Sequence, residues 1–467
     1  MKTRLLIVLC AAALLAAGCT LAPGYTRPAS PVPESWPEGE AYLGSSAPAG
    51  TAADLSWREF FTDAKLRKLI ETALAGNRDL KVAALNVERA RAMYGIQRAE
   101  VLPTVYGSAS GSKERVPGDL SRSGQATTSE TYRASLGVIS WEIDLFGRIR
   151  SLKDQALEEY LATEEARRGA QVSLVSAVAQ AYLALAADRE ALDLARATLA
   201  AQQEAYTLVR KRADVGVATE LDLRRAQTLV DTARGDIAVY KRQTALDENA
   251  LDLLLGSPAP RDLLPANLGS VAPPRGIEAG ASSDVLLGRP DILSAEHRLK
   301  GTYANIGAAR AAFFPSISLT STLGTASAEL SGLFDAGSRT WLFSPSAALP
   351  ILDARIWPAY RVSTVDREIA LAQYERSIQT AFRETADSLA LLGTVDEQLS
   401  AWQSLHEASS ETYRLANARY DKGIDSFLSV LDAQRTLYGV RQGLVAVRLA
   451  KAAGQVRLYA VLGGGAK

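Results

Sequence analysis

The chemistry open to this 467-residue chain is bounded by its histidines and cysteines, two of each: His297, His406, Cys10 and Cys19. Both histidines fall on stretches read as helix, and neither stands at a metal-ligand spacing. No phosphate-binding glycine loop or dinucleotide fingerprint occurs. Acidic residues are read mostly as partners of Arg or Lys three or four places away, such as Glu164 with Arg168, on solvated helix faces. The 52 basic and 52 acidic residues cancel, which leaves no electrostatic footprint for nucleic acid. No catalytic residue, metal site or cofactor is expected, and an enzyme is not indicated.

Cys19 is the exception. Lys2 and Arg4 precede an apolar run, Leu5 to Ala17, of about signal-peptide length and too short to cross a membrane. The run ends Leu15-Ala16-Ala17-Gly18-Cys19, which resembles a bacterial lipobox. Residues 1–18 are then a signal peptide, and Cys19 becomes residue one, carrying a diacylglycerol and an N-acyl lipid. Cys10 leaves with the signal, so no intrachain disulfide is possible. Thr20, rather than Asp, follows Cys19, which by lipoprotein-sorting rules implies the outer membrane. Residues 19–56 are rich in Pro, Gly and Ser and read as an extended, lipid-anchored strap.

The rest is a duplication. Tyr206–Gln227 (YTLVRKRADVGVATELDLRRAQ) and Tyr413–Gln434 (YRLANARYDKGIDSFLSVLDAQ) match at an offset of 207, with Arg212/Arg419, Asp214/Asp421, Gly216/Gly423, Leu221/Leu428 and Gln227/Gln434 identical. Each copy reads as a helix stopped by glycine, a turn, and a returning helix capped by Thr219 or Ser426. Earlier segments match at offset 212, including Arg98/Arg310 and Pro103/Pro315. The first repeat is 57–256 and the second 289–463, joined by a linker at 257–288 and followed by a tail at 464–467. Each holds helix, strand, strand, long helix, turn, helix.

The strands are expected at about 103–143 and 315–351, around polar loops 113–130 and 327–339. Ile317, Leu319, Ser321 and Leu323 alternate with polar residues, Trp341, Phe343, Ala347 and Leu349 share a face, and Tyr132, Ala134, Leu136 and Val138 share another. Gly147–Ala213 and Ala359–Tyr420 lack proline, and each is a helix of about 100 Å. Val175, Val178, Tyr182, Leu185, Leu192 and Leu199 form a seam interrupted by Arg189 and Arg196, which suggests supercoiled packing with a wet side. The shorter helices, 77–101 with 219–256 and 289–313 with 426–462, sum to one long helix in each repeat. A long rod follows, with helical turns at one end and β-hairpins at the other. Four strands cannot close a barrel in lipid. Two copies would give eight strands, filled by side chains, and three would give twelve, with room for a pore.

Stretches along nearly the whole chain resemble the outer-membrane factors, the TolC-like efflux channels, and within them the lipoprotein branch (NodT/OprM type). They are Trp57-Arg58-Glu59-Phe60-Phe61, NRDLKVAALNVERARA (77–92), WEIDLFGRIR (141–150), GRPDILSAEHRL (288–299), AAFFPSISLTSTLG (311–324) and REIALAQYERSIQTAFRETADSLA (367–390). The resemblance implies a mainly α protein with a membrane β-barrel: a homotrimer with a twelve-stranded barrel in the outer membrane and a twelve-helix periplasmic α-barrel. It implies docking on a periplasmic membrane-fusion adaptor and an inner-membrane pump of RND type, and passive conduction of small molecules. The alternatives are a lipid-anchored coiled-coil periplasmic spacer or adaptor, and a channel for type I protein secretion.

The resemblance also implies site residues. Tyr420, Leu428, Asp432 and Arg435 fall at the family's periplasmic constriction, and Asp222 falls where members latch the helices. Val215, Gly216, Val217, Lys422, Gly423 and Ile424 are the tips expected to meet the adaptor. Two places depart from the pattern, since Asp425 and Ser429 stand where some members carry Arg and Asp. An arginine latch to Asp222 is not expected here, and Asp425 is expected either to disfavour tight closure or to be met by Arg224 or Arg225.

Overall fold

The computed structural model describes residues 20–42, 55–277, 279 and 282–466. The signal peptide and Cys19 lie outside the described residues. The helices and strands run α1 (Trp57–Phe60), α2 (Ala64–Gly76), α3 (Arg78–Ala99), β1 (Val105–Val116), β2 (Thr127–Glu142), α4 (Arg148–Asp214), α5 (Glu220–Leu255), α6 (Pro290–Ala311), β3 (Ser316–Ser327), β4 (Arg339–Ala348), α7 (Ile356–Asp421) and α8 (Phe427–Val461). α4 and α7 have 67 and 66 residues. α3 is separate from α2 because Asn77 breaks the run: its Oδ1 accepts from Leu80 N–H at 2.9 Å, and its Nδ2 donates to the Leu254 carbonyl at 2.9 Å.

The chain forms two compact units that cut across the repeats. One holds Asn86–Thr163 and Ala295–Tyr374 with the described residues up to Pro28; the other holds Ala29–Leu85, Glu164–Ser294 and the chain from Glu375.

In the first unit the four strands form one antiparallel sheet in the order β1-β2-β3-β4. The cross-strand rows Leu136–Leu323–Trp341 and Val138–Ser321–Phe343 set apolar side chains on one face, where Leu136, Leu323, Trp341 and Phe343 are exposed. The ladder slips between Val138 and Trp141, where Ser140 adopts φ +55°. That extra residue turns Trp141, paired with Leu319, onto the same face as Val138; without it, strict alternation would point Trp141 the other way. Polar composition misplaces the first loop. Ser112–Val116 pair with Thr127–Thr131, so the connection is 117–126 and not 113–130. Polar residues belong to this ladder because much of the sheet surface is open. Leu349, placed on β4 by alternation, lies beyond it.

The sheet joins the helices through the WEIDLFGRIR stretch. Arg148 donates to Glu142 at 2.9 and 2.6 Å, and Arg150 bonds Asp144 from its N–H and Nε at 2.9 and 3.2 Å. Each arginine reaches back six residues across Gly147, and Phe146 stacks on Phe314 at 4.8 Å. The strap residues of this unit are tied to Glu296, whose side chain is 3% exposed and accepts from Tyr25 Oη at 3.0 Å and Arg27 Nη2 at 2.7 Å.

In the second unit Trp57, Phe60, Leu69, Ile70, Leu251, Leu255 and Tyr459 are buried, with Phe60 stacked on Tyr459 at 3.9 Å. Val175, Val178, Tyr182, Leu185 and Leu192 are buried, and Leu199 is half-buried. Arg189 is not a wet gap in that seam: it donates to the Pro265 carbonyl and to Glu248, both at 2.7 Å. Arg168 pairs with Glu165 at 2.8 Å rather than with Glu164.

Candidate functional site

The duplicated stretch folds into the same turn twice, in the second unit. After α4, Gly216 takes φ +76°; its N–H donates to the Ala213 carbonyl at 2.9 Å, and Val217 N–H donates to the Arg212 carbonyl at 2.8 Å. After α7, Gly423 takes φ +70°, with Gly423 N–H on the Tyr420 carbonyl and Ile424 N–H on the Arg419 carbonyl, both at 2.9 Å. This is a Schellman close, in which one left-handed residue lets two amides reach back to carbonyls the helix leaves free. Glycine takes that backbone without Cβ strain.

The returning helices start differently. Thr219 Oγ1 accepts from Asp222 N–H at 3.1 Å and donates to Asp222 Oδ2 at 2.7 Å, while Thr219 N–H donates to the same oxygen at 3.2 Å. Asp222 thus completes a capping box at the head of α5. Ser426 stands at the matching place before α8, but its hydroxyl makes no capping bond, contrary to expectation. The residue three on is Ser429 rather than an acid, so the reciprocal half of the box is missing.

Side chains then join the two hairpins. Val209 and Ala226 of the first pack with Phe427, Val430 and Leu431 of the second in one buried cluster, and Tyr206, Leu223, Tyr413 and Tyr420 are partly buried around it. The Arg212 guanidinium lies 4.6 Å above the Tyr420 ring, which packs on Phe427 at 5.2 Å. Farther along, Tyr438 Oη donates to Asp236 at 2.9 Å and Gln442 donates to Tyr240 Oη at 3.1 Å.

Asp425 is met by neither Arg224 nor Arg225. Arg419 donates to its two oxygens at 2.6 and 3.1 Å, and these bonds hold the carboxyl below the usual carboxylate range. The turn itself brings together residues six apart, whereas Arg224 finds Glu220 one helical turn back at 2.7 Å. Leu428, Asp432 and Arg435 form an exposed stripe on α8, with Asp432 and Arg435 an i,i+3 pair at 3.6 Å. Val215, Val217 and Ile424 are 74%, 75% and 58% exposed, and Gly216, Lys422 and Gly423 are exposed beside them. The arrangement offers a charged pair, an exposed apolar side chain and exposed hairpin tips.

Residues 69–257 and 281–464 match the family described as "Outer membrane efflux protein", one stretch around each hairpin. The chain belongs to that family. This efflux protein is 46% identical to the probable efflux pump outer membrane protein TtgC of Pseudomonas putida, over 99% of this chain and 96% of the relative. It is 47% identical to the toluene efflux pump outer membrane protein TtgF of the same species, over 100% and 97%. The open-state crystal structure of the MtrE outer membrane channel of Neisseria gonorrhoeae matches it with a TM-score of 0.87 at 38% identity, covering 96% of this chain and 99% of that one. The fold is that of the TolC-like channels, the location is the outer membrane, and the family is one of efflux channels rather than enzymes. In this efflux protein, Tyr420 and Asp425 are marked by the family resemblance, whereas their partners Arg212 and Arg419 are not. The available signal was the identical pair Arg212/Arg419 standing against the difference Ala218/Asp425.

Proposed function

We propose that this efflux protein works as a homotrimer, with twelve strands closing a barrel in the outer membrane and twelve helices forming a periplasmic tunnel. The carrying observation is the four-stranded sheet, with its exposed apolar face and β1 and β4 as edges. Lipid leaves edge N–H and C=O groups unsatisfied, so strands from other copies must pair with them, and three copies leave room for a pore. The channel conducts small molecules passively, receiving them from a membrane-fusion adaptor and an RND-type pump. The toluene-efflux relative favours apolar cargo. Acyl chains on Cys19 add a second hold on the membrane. The hairpins form the periplasmic mouth: the tips around Gly216 and Gly423 meet the adaptor, and Tyr420, Leu428, Asp432, Arg435 and Asp222 frame its neck. Three Asp432 carboxylates attract cations there, and Leu428 excludes water.

The test is the mass of the Cys19→Ser protein, exported with a cleavable signal, in detergent and after detergent removal. A trimer that needs detergent is expected. A soluble monomer would remove the barrel and put a lipid-anchored spacer in its place. For the gate, the Leu428→Ala/Asp432→Ala protein should show raised resting conductance in planar bilayers; an unchanged conductance would remove these residues from the neck.

A further inference from the structure

We infer that Arg212 is a positioning residue of the mouth, helping to hold the two hairpins together through the face of Tyr420; this rests on the reading of the hairpins as the gate. The backbone places of both residues are fixed by their turns. The Arg212 carbonyl accepts from Val217 N–H at 2.8 Å and Ala218 N–H at 3.1 Å, and the Tyr420 carbonyl accepts from Gly423 N–H at 2.9 Å. Neither can drift along its helix without undoing the turn, so the 4.6 Å between guanidinium and ring reports the position of one hairpin against the other.

Two differences between the repeats create this contact. Where the second hairpin has Asp425 to take up Arg419, the first has Ala218, so Arg212 has no carboxylate across its own turn. Where the first hairpin has Ala213, the second has Tyr420, which supplies the ring. Arg212 therefore crosses to the other hairpin, and Arg419 stays within its own. Asp222 is engaged by Thr219 at the head of α5. A cation over an aromatic face tolerates sliding better than a hydrogen bond does, because the attraction comes from the whole ring quadrupole. The contact is suited to a mouth that must open and close again without finding one geometry. Movement of α7 and α8 away from α4 and α5 would separate the pair while leaving Arg419–Asp425 intact.

The test is the resting conductance of the purified full-length channel in planar bilayers in potassium chloride, with detergent-phase mass as the check on assembly. Arg212→Gln and Tyr420→Leu should each raise conductance, by about five-fold in open population per contact. The double variant should rise no further than either single one. Tyr420→Phe, which keeps the ring and drops the hydroxyl, should restore most of the closure lost in Tyr420→Leu. If the two single effects add, or if Tyr420→Phe opens as far as Tyr420→Leu, the contact is not the latch. Leu428→Ala/Asp432→Ala separates the failures. If that variant opens while Arg212→Gln does not, the latch alone falls; if neither opens, the gate falls with it.

Discussion

The turn at Gly216 and the turn at Gly423 have the same backbone and different means of holding it. The first is braced at its far side, where Thr219 and Asp222 cap α5 reciprocally. The second lacks that box, since Ser429 stands 207 residues beyond Asp222, and is braced across the turn by Arg419 and Asp425. Beyond the turns the contrast continues. Arg225 and Thr228 of the first copy correspond to Asp432 and Arg435 of the second, so the charge stripe assigned to the neck exists in one copy only. Both copies thus keep the glycine that the backbone needs, while the side chains that brace each turn differ.

The strongest way to break this comparison is to strain the shared element. Gly216→Val and Gly423→Val each force a β-branched side chain into left-handed backbone, at a cost of about 1–2 kcal/mol or more. Thermal unfolding of the purified channel should show both losses, with the larger at Gly423, because reshaping that turn also separates Arg419 from Asp425. Equal losses would mean that the ion pair adds nothing to the turn.

A smaller effect sharpens the contrast in caps. Thr219→Ala should cost about 1 kcal/mol, the usual worth of an N-cap hydroxyl, while Ser426→Ala should cost a few tenths at most. Ser429→Asp supplies the missing acid and should stabilise the second hairpin if Ser426 then turns to cap. The same unfolding measurement checks all three, and equal costs at Thr219 and Ser426 would contradict the observed difference.

What was legible in the sequence followed from periodicity and repetition. Glycine at a fixed offset located both turns, proline-free runs located α4 and α7, and alternation located the strands. Contacts that depend on chain reversal were not legible. Arg419 and Asp425 are six apart, a spacing that on a continuous helix sets side chains on different faces, and only the turn brings them together. Arg189 read as a break in an apolar seam because its partners Glu248 and the Pro265 carbonyl are distant in sequence. The face that Trp141 takes was not legible either, since alternation carries no sign of the bulge at Ser140. In the candidate site, resemblance singled out Asp222, but its bond to Thr219 is a local capping matter that the spacing already contained.

The smallest expected effect concerns pH, and it too separates the repeats. Asp188 on α4 is pushed up to about 7, first by burial and then by its hydrogen bond with Asp247 of α5. At the same offset of 207 the second copy has Val395, which is 1% exposed, and Gly454. An unfolded aspartate titrates near 3.9, so between about pH 4 and 7 the folded chain keeps a proton that the unfolded chain releases. Its contribution to stability is complete below that window and is lost as pH rises through about 7. Asp188 is partly open to water, so screening reduces the effect to about 1–2 °C of melting temperature. Melting curves at pH 5 and pH 8 should therefore differ less for Asp188→Asn than for the unsubstituted channel. An undiminished difference would place the dependence elsewhere, whereas its loss would tie it to the first helix pair, since Val395 and Gly454 have no proton to give up.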